Sequence, residues 1–123
     1  MKLFDSNLII YSVSDKYKQL RPMITASGAI VSVITKVESL GYHKLPADDK
    51  DYFETLFASV RMMPVTDAII NRATELRQQK RMSLGDCLIA ATALLNGFDL
   101  YTNNTDDFIH IPGLTVVNPL NEQ

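Results

Sequence analysis

The sequence predicts an α/β sandwich with a mainly parallel central sheet, and three observations favour this fold class. Short apolar runs alternate with amphipathic segments along the chain, an order that is typical of a parallel sheet covered by helices. The chain has 123 residues, the length of one domain, so we expect a single domain over residues 1–123. Hydrophobic residues make up 46% of the sequence and charged residues 21%, a composition that supplies a packed core.

The strands are predicted from short apolar runs bounded by polar or turn-forming residues. The first run ends at Asp5, and the β-branched run at residues 29–34 has the composition of a buried strand. Pro64 weakens the prediction for the third run, because proline lacks a donor for the hydrogen-bond ladder. The five predicted strands are residues 2–4, 29–34, 61–65, 99–102 and 115–117.

The helices are predicted from apolar residues at helical spacing and from residues that suit helix ends. Thr35 is a candidate N-cap, and Pro46 followed by two aspartates suits a first turn. Residues 86–96 are apolar on nearly every side, as in a buried helix, and Gly97 fits its C-cap. The predicted helices are residues 7–18, a helix capped by Thr35, a helix beginning at Pro46, residues 66–81 with Ile69, Ile70, Ala73 and Leu76 inside, and residues 86–96.

Composition disfavours several classes of protein. The longest apolar stretches have about ten residues, whereas a bilayer span needs about 20. The sequence begins without the hydrophobic run of a secretory leader, and the single cysteine, Cys87, cannot form an internal disulfide. We therefore expect a cytoplasmic protein with no membrane partner. The net charge of −2 disfavours a simple electrostatic nucleic-acid binder, which is usually basic.

Acidic residues stand out at four places in the predicted fold. Asp5 directly follows the first strand, Glu38 lies in the helix after the second, and Asp86 begins the most apolar helix. Asp106 and Asp107 follow the fourth strand. Each place also has an ordinary interpretation: an N-cap for Asp5, a surface residue for Glu38, a capping box for Asp86 and a turn for the remaining pair.

Taken together, these acids indicate a metal site. The carboxyl ends of parallel strands meet at one edge of the sheet, where ligands bind. Two carboxylates about 5 Å apart repel by roughly 3 kcal/mol at an effective dielectric constant of about 20, so a cluster needs raised pKa values or a divalent cation. Oxygen ligands select Mg²⁺ or Mn²⁺. His43 and His110 lie outside the pattern, and the chain has neither a cysteine pair nor a glycine-rich phosphate loop, so a zinc site is not expected.

Four segments of the sequence carry a family resemblance. In order and spacing they resemble the motifs of the PIN-domain ribonucleases, and among these the VapC-type toxins of prokaryotic toxin–antitoxin pairs. The resemblance covers nearly the whole chain and implies a three-layer α/β/α sandwich. The segments are Leu3-Phe-Asp-Ser-Asn7, Ser32-Val-Ile-Thr-Lys-Val-Glu38, Gly85-Asp-Cys-Leu-Ile-Ala-Ala91 and Tyr101-Thr-Asn-Asn-Thr-Asp-Asp-Phe108.

The resemblance implies an activity, metal-dependent hydrolysis of RNA phosphodiester bonds. Bound Mg²⁺ or Mn²⁺ would activate a water and stabilise charge on the phosphate. Asp106 and Asn104 are alternatives for the fourth metal ligand, because some members of the family carry an acid at the position of Asn104. The implied catalytic and metal-binding residues are Asp5, Glu38, Asp86 and Asp107.

Other residues receive supporting roles from the same resemblance. Asn7 is expected to orient Asp5, while Asn103 stands where an arginine is frequent. Basic residues before Asp86 are candidate RNA contacts, although cations near a helix end are also ordinary. The implied polar supports are Ser6, Asn7, Thr102 and Asn104, and the candidate RNA-binding residues are Arg77, Lys80 and Arg81. If metal neutralises the four acids, 12 basic and 10 acidic residues remain, and the net charge no longer opposes RNA binding.

The resemblance also implies partners: an RNA substrate, a second copy in a homodimer, and a cognate antitoxin that covers the site. Tyr11, Tyr17 and Tyr42 are candidate antitoxin contacts or core residues. A solitary PIN nuclease without an antitoxin, and a PIN fold that binds without cutting, remain alternatives. A two-component receiver domain is disfavoured, because it needs a lysine after a late strand where this chain has Asn103 and Asn104.

Overall fold

A computed structural model describes residues 1–121, and residues 122 and 123 of the predicted domain lie outside the described part of the chain. Its strands are β1 (Lys2–Phe4), β2 (Ala29–Ser32), β3 (Arg61–Met63), β4 (Asp99–Tyr101) and β5 (Val116–Val117). They form one sheet in the order β3-β2-β1-β4-β5, and every neighbouring pair is parallel. The predicted α/β class is confirmed, with a sheet that is entirely rather than mainly parallel.

Six α-helices connect and cover these strands. They are α1 (Ser6–Tyr11), α2 (Leu20–Ile24), α3 (Val33–Leu40), α4 (Ala47–Ser59), α5 (Asp67–Gln79) and α6 (Leu84–Asn96). Among residues 1–121, none of these helices combines the length and the apolar character that crossing a membrane requires.

Two separate hydrophobic cores, one on each face of the sheet, produce the three layers. Neighbouring residues of β1 divide between them, because side chains alternate along a strand. Leu3 packs with residues of α5 and α6, whereas Phe4 packs with residues of α1, α2 and α4. Both side chains are fully buried. The central strand therefore anchors both helical layers, as the three-layer prediction requires.

The helix predicted at residues 7–18 is interrupted at Ser12. The guanidinium of Arg21 donates from Nε to the Ser12 carbonyl at 2.8 Å, and the Tyr52 hydroxyl donates to Ser12 Oγ at 2.8 Å. Because a side chain takes this carbonyl, the chain leaves the helix, makes a 3-10 turn at Asp15–Tyr17 and then forms α2. These contacts come from residues distant in sequence, so apolar spacing alone predicted one long helix and missed α2.

The boundary between β2 and α3 also differs from the prediction. Residues 33 and 34 were expected to extend the strand, but Ser32 Oγ accepts from the Ile34 N–H at 3.2 Å and caps a helix there. Thr35, the predicted cap, lies inside α3 and is fully buried. In α5 the predicted inward residue Ile70 is 45% exposed, because the buried face consists of Ile69, Ala73 and Leu76.

Helix α6 has the two ends that the sequence indicated, although it begins two residues earlier than predicted. Ser83 Oγ accepts from the Asp86 N–H at 3.1 Å, which is one half of a capping box. At the other end Gly97 adopts φ 67° and its N–H donates to the Ala93 carbonyl. A Cβ built at Gly97 meets no atom within 4 Å, so only the backbone conformation selects glycine here.

We predict that Gly97→Ala lowers the free energy of unfolding by about 1 kcal/mol, because a Cβ disfavours the left-handed region. Urea unfolding measures the change. Gly97→Asn is the matched control and should lose less, since asparagine tolerates this conformation. Equal losses in the two variants would contradict the conformational explanation.

Candidate active site

The order of the strands opens a crevice at the carboxyl end of β1. From β1 the chain moves to β2 and β3 on one side of the sheet, and it returns to β4 and β5 on the other. Such a reversal of strand order is where ligands bind in parallel α/β sheets. Asp5 follows β1 at this point, Thr102 follows β4, and α3, which carries Glu38, begins directly after β2.

Asp5 is held in the crevice by hydrogen bonds from two elements. Its Oδ1 accepts from the Ser6 N–H at 2.8 Å, so that Asp5 caps α1. Its Oδ2 accepts from Thr102 Oγ1 at 2.8 Å. The side chain lies among buried residues, with only 5% of Asp5 exposed. The capping role expected for Asp5 is therefore real, and it leaves the carboxylate at the switch point of the sheet.

Thr102 is the centre of a small hydrogen-bond network. Its hydroxyl oxygen accepts from the Asn104 N–H at 3.0 Å and from Asn7 Nδ2 at 3.4 Å. With both lone pairs engaged, the single hydroxyl proton is directed to Asp5. Asn7, which the sequence predicts to orient Asp5, is linked to Asp5 through Thr102. The Oδ1 atom of Asn7 is buried without a hydrogen-bond partner.

Glu38 is anchored by a second network, between α1, α3 and α6. Ser6 Oγ donates to Glu38 Oε1 at 2.7 Å, and Thr35 Oγ1 lies 2.9 Å from the same Ser6 oxygen. Since Ser6 gives its one proton to Glu38, Thr35 donates to Ser6. On its other side the Glu38 carboxylate lies against Gly85 of α6. Sequence reasoning missed Thr35 and Gly85, although a glycine in the first turn of a long apolar helix is an available signal.

Burial and mutual repulsion raise the pKa values of two of the predicted acids. Burial raises the pKa of Asp5 from 3.8 to about 6; the Thr102 and Ser6 hydrogen bonds oppose this, and the charges of Asp86 and Glu38 add to it. Burial also raises the pKa of Asp86, followed by the charge of Asp107. The four predicted acids therefore act on one another electrostatically, in a chain that passes through Asp86.

The four predicted acids lie less close together than the sequence predicted. Among residues 1–121, no three histidine, cysteine, aspartate or glutamate side chains approach closely enough to hold one metal ion together. One physical reason is that Asp5 is fixed by its hydrogen bonds to Ser6 and Thr102, and Glu38 by its bond to Ser6. The N-terminal turn of α6 adds a positive partial charge beside Asp86, which offsets part of the repulsion without ligation.

The chemistry of these residues fits a hard divalent cation, although their spacing shows no closed ligand shell. All the candidate donors are oxygens, and a cation would relieve the repulsion that raises the pKa values of Asp5 and Asp86. The unpartnered Oδ1 of Asn7 adds a further oxygen donor beside Thr102.

The predicted RNA-binding residues lie at the end of α5 and on the connection to α6. Arg77, Lys80 and Arg81 are all exposed, and none of them forms an ion pair within the described residues. Arg77 Nε donates to the Met82 carbonyl at 3.2 Å, so this side chain also holds the connection. Arg77 and Arg81 line a cleft of about 600 Å³ between the two helices, together with apolar residues such as Leu84.

Comparison with known proteins gives a consistent result for the whole chain. The PIN domain family model matches residues 2–114. A chain of a toxin–antitoxin complex from Klebsiella pneumoniae is 29% identical, with a TM-score of 0.78 over 97% of this chain and 98% of that one. A search of curated proteins gave no match.

Two further structures show the same fold at lower identity. One is DNA-bound VapBC from Salmonella typhimurium, 21% identical, with a TM-score of 0.80 over 94% of this chain and 96% of that one. The other is FitAcB from Neisseria gonorrhoeae, 22% identical, with a TM-score of 0.77 over 98% and 99%. An entirely parallel three-layer sandwich with acids at its switch point agrees with the family model. The chain belongs to the PIN-domain family.

We predict that, without divalent cations, Asp5 lowers the free energy of unfolding by about 2.5 kcal/mol between pH 4 and pH 7. The pKa of Asp5 is about 6 in the folded state and 3.8 ordinarily, so the folded state holds the proton more tightly. The resulting stability is fully present below pH 3.8 and is lost as the pH rises through 6.

Urea unfolding at a series of pH values in a chelating buffer measures this dependence. Asp5→Asn removes the titrating group, so its stability should change less with pH than that of the wild type. Asp51→Asn, at an exposed position of α4, is the control and should keep the wild-type dependence. A wild-type slope in Asp5→Asn would show that Asp5 is not responsible.

Proposed function

We propose that this chain is a Mg²⁺- or Mn²⁺-dependent endoribonuclease and the toxin of a VapC-type toxin–antitoxin pair. The observation that carries the proposal is the buried carboxylate of Asp5 at the switch point of the sheet, with a pKa raised by burial and by the charges of Asp86 and Glu38. Membership of the PIN-domain family supports a nuclease, since PIN domains are generally nucleases. The similarity to a chain of the toxin–antitoxin complex from Klebsiella pneumoniae supports the toxin role.

In this proposal the protein residues would hold and orient a divalent cation. Asp5, Glu38, Asp86 and Asp107 would be its ligands, and the bound cation would supply activation of a water and stabilisation of the charge on the phosphate. The Thr102 hydroxyl donates to Asp5 and thereby favours its charged, ligating form. Ser6 fixes the position of the Glu38 carboxylate by donating a hydrogen bond to Oε1.

Asp107 is a better candidate for the fourth ligand than Asp106 or Asn104. Burial and then the charge of Asp107 raise the pKa of Asp86, whereas the charge of Asp106 does not contribute to that shift. The backbone N–H of Asn104 donates to Thr102, which supports a role for Asn104 in holding the Thr102–Asp5 network. Lys80 and Arg81, with Arg77 beside them, are our candidates for contacts to the RNA phosphates, because no ion pair within the described residues neutralises them.

An apolar groove beside the site is our candidate for the antitoxin contact. It measures about 350 Å³, lies between α1, α3 and α4, and has Glu38 and Asp49 among its lining residues. A segment with apolar side chains and one basic side chain complements this combination. Tyr42 is 54% exposed in the groove, whereas Tyr11 and Tyr17 stack on each other and pack against the core. We assign only Tyr42 of the three tyrosines to the antitoxin.

Three further points belong to the proposal. We propose a homodimer, as the family resemblance implies, and an active enzyme, because all four acids are present. We also propose that the protein acts in the cytoplasm, since its single cysteine needs no oxidising compartment. The alternative, a solitary PIN nuclease, would have the same site and the same activity but no antitoxin.

We predict that Asp5→Asn and Asp86→Asn each abolish Mg²⁺- or Mn²⁺-dependent cleavage of RNA while the fold is kept. A cleavage assay on single-stranded RNA, with and without a chelator, measures activity, and circular dichroism checks the fold. Asp107→Asn should lose at least tenfold in cleavage rate, and its neighbour Asp106→Asn is the matched control that should stay near the wild type.

Thermal unfolding provides a second measurement on the same proteins. Millimolar Mg²⁺ or Mn²⁺ should raise the melting temperature of the wild type, because a ligand of the folded state stabilises it by mass action. Undiminished cleavage by both Asp5→Asn and Asp86→Asn would refute the nuclease, and loss in Asp106→Asn alone would reassign the fourth ligand.

We predict that Ile10→Asp weakens capture of the antitoxin and leaves RNA cleavage unchanged. Ile10 is 40% exposed and lines the groove, so an aspartate there removes apolar contact and places a charge in its wall. The measurement is co-purification with the product of a neighbouring small reading frame. Ile109→Asp, at a 64% exposed position outside the groove, is the control. Equal capture by both variants would exclude the groove as the antitoxin contact. Absence of a neighbouring small reading frame would favour the solitary nuclease.

A further inference from the structure

A side chain at position 85 would contact the carboxylate of Glu38 more tightly than most Cβ atoms contact their neighbours. A Cβ built on Gly85 lies 3.1 Å from Glu38 Oε2, 3.2 Å from Oε1 and 3.3 Å from Cδ. Ordinary contacts of a Cβ with its neighbours are 3.4–4 Å. Because the three distances are nearly equal, the flat face of the carboxylate lies towards the position that a Cβ would occupy.

The Glu38 carboxylate has a fixed partner on its other side. Ser6 Oγ donates to Oε1 at 2.7 Å, and Thr35 lies 2.9 Å from that hydroxyl. Ser6 and Thr35 are buried, so neither hydroxyl can follow a displaced carboxylate without disturbing the packing of α1 against α3. A methyl group at residue 85 would therefore move the carboxylate and weaken its hydrogen bond to Ser6.

The local backbone gives no reason for glycine at this position. The glycines with positive φ are Gly28, Gly97 and Gly113, whereas Gly85 is the second residue of α6 with an ordinary backbone. Glycine is a poor helix former, so alanine would suit α6 better. The three heavy atoms nearest to a Cβ at this position all belong to the Glu38 carboxyl group, which gives a reason for glycine here.

The geometry points to Gly85 as a positioning residue: its missing side chain lets the Glu38 carboxylate of α3 reach the first turn of α6, beside Asp86. This inference rests on the proposed function, in which both acids hold the cation. The approach brings the charge of Glu38 to bear on Asp86. It also places the carboxylate at the positive end of the helix dipole, which partly offsets the repulsion.

The inference predicts effects of opposite sign in Gly85→Ala. The metal-free protein should melt about 3 °C higher, because alanine favours the helix. Its affinity for Mn²⁺ in calorimetric titration should fall about tenfold, the usual effect of disturbing a group that orients a ligand. Leu84→Ala, at the exposed neighbouring position, is the control and should keep the wild-type affinity.

A double-variant cycle separates this contact from a general effect on α6. In a Glu38→Ala background, Gly85→Ala should cause no further loss of Mn²⁺ affinity. An equal loss in both backgrounds, or wild-type affinity in Gly85→Ala, would overturn the inference. Glu38→Asp shortens the acid by one methylene, so Gly85→Ala should lower the Mn²⁺ affinity less in that background. A fall in melting temperature caused by Gly85→Ala in every background would also overturn the inference.

The carboxyl ¹³C resonance of Glu38 distinguishes this inference from the proposed function. If the wild type binds no Mn²⁺ and cleaves no RNA, the proposed function fails. A shift of the Glu38 carboxyl resonance in metal-free Gly85→Ala would still support the contact, and an unchanged resonance would refute it.

Discussion

The structure depends on one constraint, the burial of the Asp5 carboxylate between two central strands and the helix it caps. A buried charge needs hydrogen-bond donors around it. Here the donors are the Ser6 N–H and the Thr102 hydroxyl, and they join the start of α1 to the end of β4. The same carboxylate serves as helix cap, sheet-edge anchor and candidate ligand. The atoms that anchor the fold at this point are therefore the same atoms that we propose for metal binding.

Hydrogen bonds of the polar residues around Asp5 connect it to the neighbouring helices and to the loop after β4. Ser6 links the α1 cap to Glu38, and Glu38 in turn contacts α6 at Gly85. Thr102 links Asp5 to Asn7 and to the loop after β4. Ser6 and Thr102 each donate their one hydroxyl proton to a carboxylate, so the two networks orient Glu38 and Asp5. The candidate phosphate contacts Arg77, Lys80 and Arg81 lie at the end of α5 and on the connection to α6.

The sequence allowed the fold to be predicted to the level of class and nearly all its elements. Apolar runs predicted the strands, and Ser83 and Gly97 predicted the two ends of α6. The predicted first helix was too long because Ser12 is held by side chains beyond it, Arg21 at its carbonyl and Tyr52 at its hydroxyl, and apolar spacing does not reveal such contacts. In the site, family motifs named the acids. They did not reveal that Asn7 reaches Asp5 only through Thr102, because hydrogen-bond direction depends on three-dimensional arrangement.

The pairing of Asp5 with Thr102 joins residues 97 positions apart in the sequence. During synthesis the ribosome releases Asp5 long before β4 exists, and β1 has no neighbour on that side until β4 arrives. Contacts so distant along the chain form late in folding, because a long loop must close first. Every truncated or nascent chain that ends before Thr102 lacks the donor that orients Asp5. The order of the strands therefore delays assembly of the acidic crevice until β4 and Thr102 have been synthesised.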